Sequence, residues 1–157
     1  MNNLQQQKLT QQDKLRKALK HLEYSYNKIL KLPSHVAILD EEMLETWESF
    51  AARFARVCDI FLLRYIRTIV LLEDPGFSGT LRYFLHVAEK IGIVDDAKKW
   101  LSIRELRNIT AHEYSDQDMS AFFETLKKNC PAILALIPSS LNLACLMATN
   151  ETRCLIL

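Results

Sequence analysis

Residues 40–73 read DEEMLETWESFAARFARVCDIFLLRYIRTIVLLE, and this run carries the strongest structural signal in the chain. Residues suited to a core recur along it at steps of three and four: Leu44, Trp47, Phe50, Phe54, Val57, Phe61, Tyr65 and Thr68. Such steps place side chains on one face of an α-helix. Asp40 suits the N-cap, and the acidic residues after it favour the positive end of the helix dipole. The run therefore predicts a central helix from Asp40 to about Glu73, roughly 50 Å long.

A second helical pattern precedes the central run. Its apolar stripe consists of Leu15, Leu19, Leu22, Tyr26 and Ile29. The same spacing rule predicts a helix from about Thr10 to Lys31, preceded by a flexible leader at residues 1–9. Leu32-Pro33-Ser34 ends this helix, because the residue before a proline disfavours helical backbone angles.

Three more helices are predicted after the turn at residues 74–76. Gly92 suits the C-cap of the first, since glycine readily adopts the left-handed conformation found there. Ser115 and Asp118 resemble a capping box at the start of the third, and Pro131 favours a kink within it. The predicted bounds are Ser78 or Thr80 to Ile91, Asp95 to Glu113, and Ser115 to about Leu136.

These patterns predict an all-α protein, built as an antiparallel four- to five-helix bundle, because strand-like alternation is nearly absent. Residues 10–137 are expected to form this one domain. The tail at residues 138–157 is apolar but patchy. A short sixth helix, a strap across the bundle and partial disorder all remain open for it.

Composition narrows the class of protein further. The formal net charge is +1, so no global positive field indicates a nucleic-acid-binding protein, and local clusters would have to supply that attraction. The four cysteines form no CxxC pair, which favours reduced thiols. The N-terminus has no signal-peptide core and the apolar stretches are interrupted by charges, so we expect a cytoplasmic protein without membrane contact.

Residues 107–114 read RNITAHEY and combine a cation, an amide, an imidazole and a phenol. Metal-independent RNA cleavage needs proton transfer, which suits His112 as general acid or base, and stabilisation of a charged phosphorane, which suits the fork of Arg107. Asn108 can orient the imidazole or bond the phosphate. Arg104 is a weaker candidate for substrate contact, with simple surface solvation as the alternative.

Helix geometry groups these side chains. Arg104, Asn108 and His112 are four residues apart and share one face of a regular helix. Arg107 and His112 are five apart and diverge by about 140°. They can meet on one phosphate only if the helix end distorts or a second subunit supplies a partner.

The Arg-Asn-x3-His-x-Tyr set resembles the signature of the HEPN superfamily, and in particular the HepT branch of small bacterial toxins. The resemblance implies a homodimer whose composite site cleaves RNA, with tRNA as one candidate substrate. It also implies a minimal nucleotidyltransferase antitoxin that attaches AMP to Tyr114 and silences the toxin. An aromatic residue that only packs at the helix corner is the alternative for Tyr114.

A sibling group, the nucleotidyltransferase substrate-binding proteins, shares the bundle and the partner without an established nuclease role. The chain is therefore expected to be either an endoribonuclease toxin or a non-catalytic subunit of a nucleotidyltransferase, with a purely structural scaffold as a third hypothesis. No cofactor or metal is expected, because the histidines are scattered singly and no phosphate-binding glycine motif is present.

Overall fold

The computed structural model of the chain describes residues 2–109 and 116–136. This part of the chain contains helices and turns and no strand, so the predicted all-α class is confirmed. Its helices are α1 (Asn3–Ile29), α2 (Glu41–Cys58), α3 (Ile66–Glu73), α4 (Leu81–Lys90), α5 (Ala97–Asn108) and α6 (Asp116–Leu134). A π-helical segment, Asp59–Tyr65, joins α2 to α3 without a break, and a 3₁₀ turn, Val36–Ile38, precedes α2.

Helix α1 begins at Asn3, and the predicted start near Thr10 is wrong. Asn2 caps the helix: its side chain accepts from the Leu4 N–H, and its own N–H donates to the Gln5 side chain at 3.0 Å. Such a reciprocal pair satisfies backbone donors that a helix start leaves unbonded. The Gln-rich residues 3–9 are therefore the first turns of α1.

The α2–α3 rod forms the centre of the bundle, as its spacing predicts. Trp47, Phe50, Phe54, Val57, Phe61 and Tyr65 are each no more than 2% exposed. Three of the aromatic rings contact rings of other helices: Phe50 contacts Tyr26 of α1, Phe61 contacts Trp100 of α5, and Trp47 stacks on Phe123 of α6. One continuous face thus holds the core together.

Helix α1 runs antiparallel to this rod. Near one end, Arg53 donates to the Ser25 hydroxyl at 2.6 Å, and near the other, Gln12 donates to the Tyr65 hydroxyl at 3.3 Å. The residue numbers of the bonded partners fall along α1 as they rise along the α2–α3 rod, so α1 and the rod run in opposite directions.

The π segment departs from the regular helix that the sequence predicts. The Ile66 N–H bonds the Phe61 carbonyl, five residues back, which is the bond of a π-helix. Val57, Phe61, Tyr65 and Ile69 are all buried and stand three successive steps of four apart. In a regular helix each such step drifts by about 40°. The wider turn reduces that drift and keeps all four side chains in the core.

The end of α4 matches the prediction, whereas α5 ends at Asn108, short of the predicted end at Glu113. Gly92 follows α4 with φ +77°, and the next N–H, from Ile93, bonds the Ala88 carbonyl at 2.8 Å. Pro131 lies inside α6. The predicted cap at Ser115, the predicted helix end at Glu113 and the tail from residue 138 lie outside the described residues.

None of the described helices is long and apolar enough to cross a membrane.

Candidate functional site

Helix α5 is fixed against the π segment by Trp100. The indole is 3% exposed, and its ring centroid lies 4.9 Å from that of Phe61. Its N–H donates to Asp95 Oδ1 at 3.0 Å, while Lys99 Nζ donates to Asp95 Oδ2 at 2.8 Å. The bond from Lys99 is the main reason that the pKa of Asp95 lies below its ordinary value. This anchor fixes the direction of α5 two turns before Arg107, the cation near the end of the helix.

That cation, Arg107, makes a bidentate contact with Asp59 at the start of the π segment. Arg107 Nε donates to Asp59 Oδ1 at 2.8 Å, and Nη2 donates to Oδ2 at 2.9 Å. The two side chains remain 40% and 32% exposed, respectively. Hydrogen bonding to Asp59, and then its negative charge, raise the pKa of Arg107 above the ordinary value. The guanidinium is therefore a permanent cation held in one orientation at the surface.

Asp59 is the site residue that sequence reasoning missed. By its spacing it belongs to the charged face of the central helix, opposite the apolar stripe, where a solvated side chain is the ordinary expectation. One signal marks it: between Arg53 and Arg67 it is the single acidic residue, on a face that also carries Arg56 and Arg64. A lone carboxylate among arginines indicates a partner, yet nothing in the sequence selects Arg107 as that partner.

The other described site candidates, Arg104 and Asn108, lie on α5 as predicted. Asn108 is exposed and is the last residue of the helix. Arg104, one turn earlier, is partly buried, and its Nε is shielded from solvent without a hydrogen-bond partner among the described residues. Ile103 is buried and Leu106 is half-buried, so the apolar side of α5 faces the bundle. The Nε of Arg104 is thus shielded from solvent, although the side chain as a whole is only partly buried.

Helix α5 tightens before the rest of the motif. The Ile109 N–H bonds the Leu106 carbonyl three residues back, instead of the carbonyl four back that a regular α-helix uses. His112 and Tyr114 lie in residues 110–115, outside the part that the structure describes. The roles predicted for them stay predictions.

The thiols near the site are unsuited to nucleophilic chemistry. Burial raises the pKa of Cys58, next to Asp59, to about 12, and it raises that of Cys130 to about 12 as well. Both are therefore protonated at neutral pH, whereas the thiolate is the reactive form. Residues 2–109 and 116–136 contain no group of three or more His, Cys, Asp or Glu side chains that could hold a metal ion.

No family model matches the chain, and neither a curated protein nor a solved structure is significantly similar to it.

Proposed function

We propose that the chain is a cytoplasmic, metal-independent endoribonuclease of the HEPN type, acting as a homodimeric toxin. A minimal nucleotidyltransferase antitoxin silences it by attaching AMP to Tyr114. The observation that carries the proposal is the oriented, surface-exposed guanidinium of Arg107 at the end of α5, directly before the exposed Asn108. The predicted acid-base residue, His112, follows in the same motif.

An oriented arginine suits the charge that develops on a phosphorane. Preorganised donors stabilise a transition state best when they need no rearrangement during the reaction. The contact with Asp59 joins Nε and Nη2 of Arg107 to the two carboxylate oxygens, so it sets the plane of the guanidinium. A fixed fork of this kind can meet a phosphate edge-on.

The chemistry follows from the ribose. The 2′-hydroxyl loses its proton to a general base, its oxygen bonds to phosphorus, and the bond from phosphorus to the 5′-oxygen breaks. The departing oxygen takes a proton from a general acid, which leaves a 2′,3′-cyclic phosphate and a 5′-hydroxyl. One His112 performs one proton transfer, and a homodimer supplies the second imidazole. DNA lacks the 2′-hydroxyl and is excluded as substrate.

A non-catalytic subunit of the nucleotidyltransferase is the second candidate, and one observation favours it. Asp59 neutralises the charge of Arg107 within the chain, so a phosphate that binds Arg107 would have to bind next to a carboxylate that repels it. In a subunit that only binds its partner, the same ion pair would serve to hold α5 on the π segment.

The deciding experiment is cleavage of purified tRNA and mRNA in excess EDTA, with dimer state and fold confirmed for every variant. We expect the wild type to cleave and to leave 2′,3′-cyclic phosphate ends. His112→Ala and Arg107→Lys should abolish cleavage, because one removes the proton carrier and the other the planar fork. His86→Ala, an exposed histidine on α4, is the matched control and should cleave normally.

An unmodified wild type that cleaves no RNA would favour the non-catalytic subunit. Cleavage that survives His112→Ala would place the active site elsewhere or indicate a contaminating nuclease.

A further inference from the structure

A groove of about 500 Å³ lies beside the Asp59–Arg107 pair, where α1 meets α2 and the π segment. Small or apolar side chains line part of it: Ala52, Ala55 and Ile60. Three cations line the rest: Lys14, Arg56 and Arg64. Asp59 contributes the groove's carboxylate, so the groove is continuous with the contact that orients Arg107.

The positive charges of this groove are not compensated. Lys14, Arg56 and Arg64 are all exposed, and none forms an ion pair with any residue in the ranges 2–109 and 116–136. The groove's carboxylate, Asp59, is already bound by Arg107. For a chain whose formal net charge is only +1, three uncompensated cations in one groove are a marked local concentration.

The π segment is what brings Asp59 and Arg64 to the same groove. In a regular α-helix, residues five apart diverge by about 140°. The hydrogen bonds of a π-helix join residues five apart and bring them close to alignment. Both side chains accordingly line the groove. Short π segments occur frequently at functional sites.

We propose that this groove binds the phosphodiester backbone of an RNA strand and leads it to Arg107. Two of the three cations are arginines, whose planar forks match phosphate oxygens. Arg56 and Arg64 are eight residues apart, at most about 12 Å along the helix axis, so the two cations can contact different phosphates of one strand. The small side chains of Ala52 and Ala55 let a strand approach the helix surface closely. The proposal rests on the proposed function for RNA as the substrate class.

The test measures binding separately from cleavage. A short, fluorescein-labelled 2′-O-methyl oligoribonucleotide has no free 2′-hydroxyl, so it binds without being cut. Its anisotropy is titrated with the wild-type chain and with a groove variant carrying Lys14→Ala, Arg56→Ala and Arg64→Ala. A control variant carries Lys20→Ala, Arg82→Ala and Lys90→Ala, which removes the same charge from exposed residues outside the groove.

We expect the groove variant to bind at least about tenfold more weakly at ~100 mM salt, and the control variant to bind nearly as the wild type does. Losing three phosphate contacts should also lower the slope of log Kd against log salt by about 2. Equal affinity and slope for the groove variant and wild type would overturn the proposal, and would leave the groove to an acidic protein partner. An equal loss in both variants would overturn it too, because binding would then depend on charge alone.

Failure of this proposal is distinguishable from failure of the nuclease. Groove-dependent binding without cleavage of ordinary RNA would uphold the groove and reject the enzyme. Cleavage of ordinary RNA at the wild-type rate by the groove variant, with unchanged affinity, would uphold the enzyme and reject the groove.

Discussion

The pair formed by Asp59 and Arg107 matters more for orientation than for stability. Both side chains are about one-third exposed or more, and exposed ion pairs contribute only about 0–1 kcal/mol to folding. Two parallel hydrogen bonds nevertheless fix the plane of the guanidinium. We interpret Asp59 as a positioning residue that acts through Arg107.

Asp59→Asn tests this interpretation. An amide cannot accept two charge-assisted bonds, so Arg107 loses its fixed plane. Cleavage of RNA should fall by at least about tenfold, since small misplacements of a catalytic group are costly. The free energy of unfolding, measured by urea denaturation, should fall by no more than about 1 kcal/mol.

The matched control is Asp13→Asn, which removes a carboxylate that bonds Arg16 and Lys17 on the surface of α1. It should leave cleavage unchanged. If Asp59→Asn cleaves as fast as the wild type or faster, Asp59 competes with the phosphate and does not position the cation.

For the motif residues, the sequence predicts which side chains share a helix face but not which residues they contact. The shared face of Arg104 and Asn108 follows from helix periodicity alone. The partner of Arg107 cannot be predicted in this way, because Asp59 is 48 residues away and contacts Arg107 only through the packing of α5 on the π segment. The buried Nε of Arg104 was equally beyond prediction, since shielding depends on neighbouring helices.

Among the helical elements, the π segment is consistent with the spacing of the buried residues, but that spacing does not predict a π-helix uniquely. Three successive steps of four in the buried stripe disagree with a regular helix. A gentle bend of the helix would also reduce such drift, so the pattern did not determine which solution the chain adopts. The long-range contacts of Phe61 with Trp100 and of Tyr65 with Gln12 accompany the wider turn.

The end of α4 gives a direct test of helix capping. Gly92 has φ +77°, and a Cβ built there meets no atom within 4 Å. Gly92→Ala should therefore lower the free energy of unfolding by about 1–2 kcal/mol through backbone strain alone. Gly92→Asn should cost less, because asparagine tolerates the left-handed region. Urea denaturation of both variants measures the difference.

Gly76→Ala is the control, since Gly76 does not have a positive φ and its added Cβ would meet only Asp74 Oδ1 at 3.6 Å. Equal stabilities for Gly92→Ala and Gly76→Ala would contradict the strain argument.

Across the molecule, the core couples helices that are distant in sequence. Cys58 of α2 and Cys130 of α6 are 2% and 0% exposed, respectively. The proximity of Cys58 adds to the burial that raises the pKa of Cys130 to about 12. Both thiols therefore lie in the same hydrophobic core.

This burial predicts a pH dependence of stability. Thiols in an unfolded chain have a pKa of about 8.5, so above pH ~9 the unfolded state loses protons that the folded state keeps. The free energy of unfolding should then fall with rising pH, by up to about 1.4 kcal/mol per unit for each thiol. Urea denaturation under reducing conditions between pH ~8 and ~10 measures this slope.

The double variant Cys58→Ala/Cys130→Ala should have a shallower slope, whatever its absolute stability. Tyr26 and Tyr65, whose pKa values are also raised by burial, contribute with the same sign only at higher pH. Identical slopes for wild type and double variant would show that these thiols do not titrate differently in the two states.

The all-helical class, the central rod and most helix ends follow from the sequence, because spacing, caps and turns act over a few residues. The contacts that define the candidate site arise differently. The pairing of Asp59 with Arg107 and the convergence of Lys14 with Arg56 and Arg64 join residues from separate helices. They depend on how α1, α5 and the π segment pack, since that packing sets distances between side chains that no local pattern encodes.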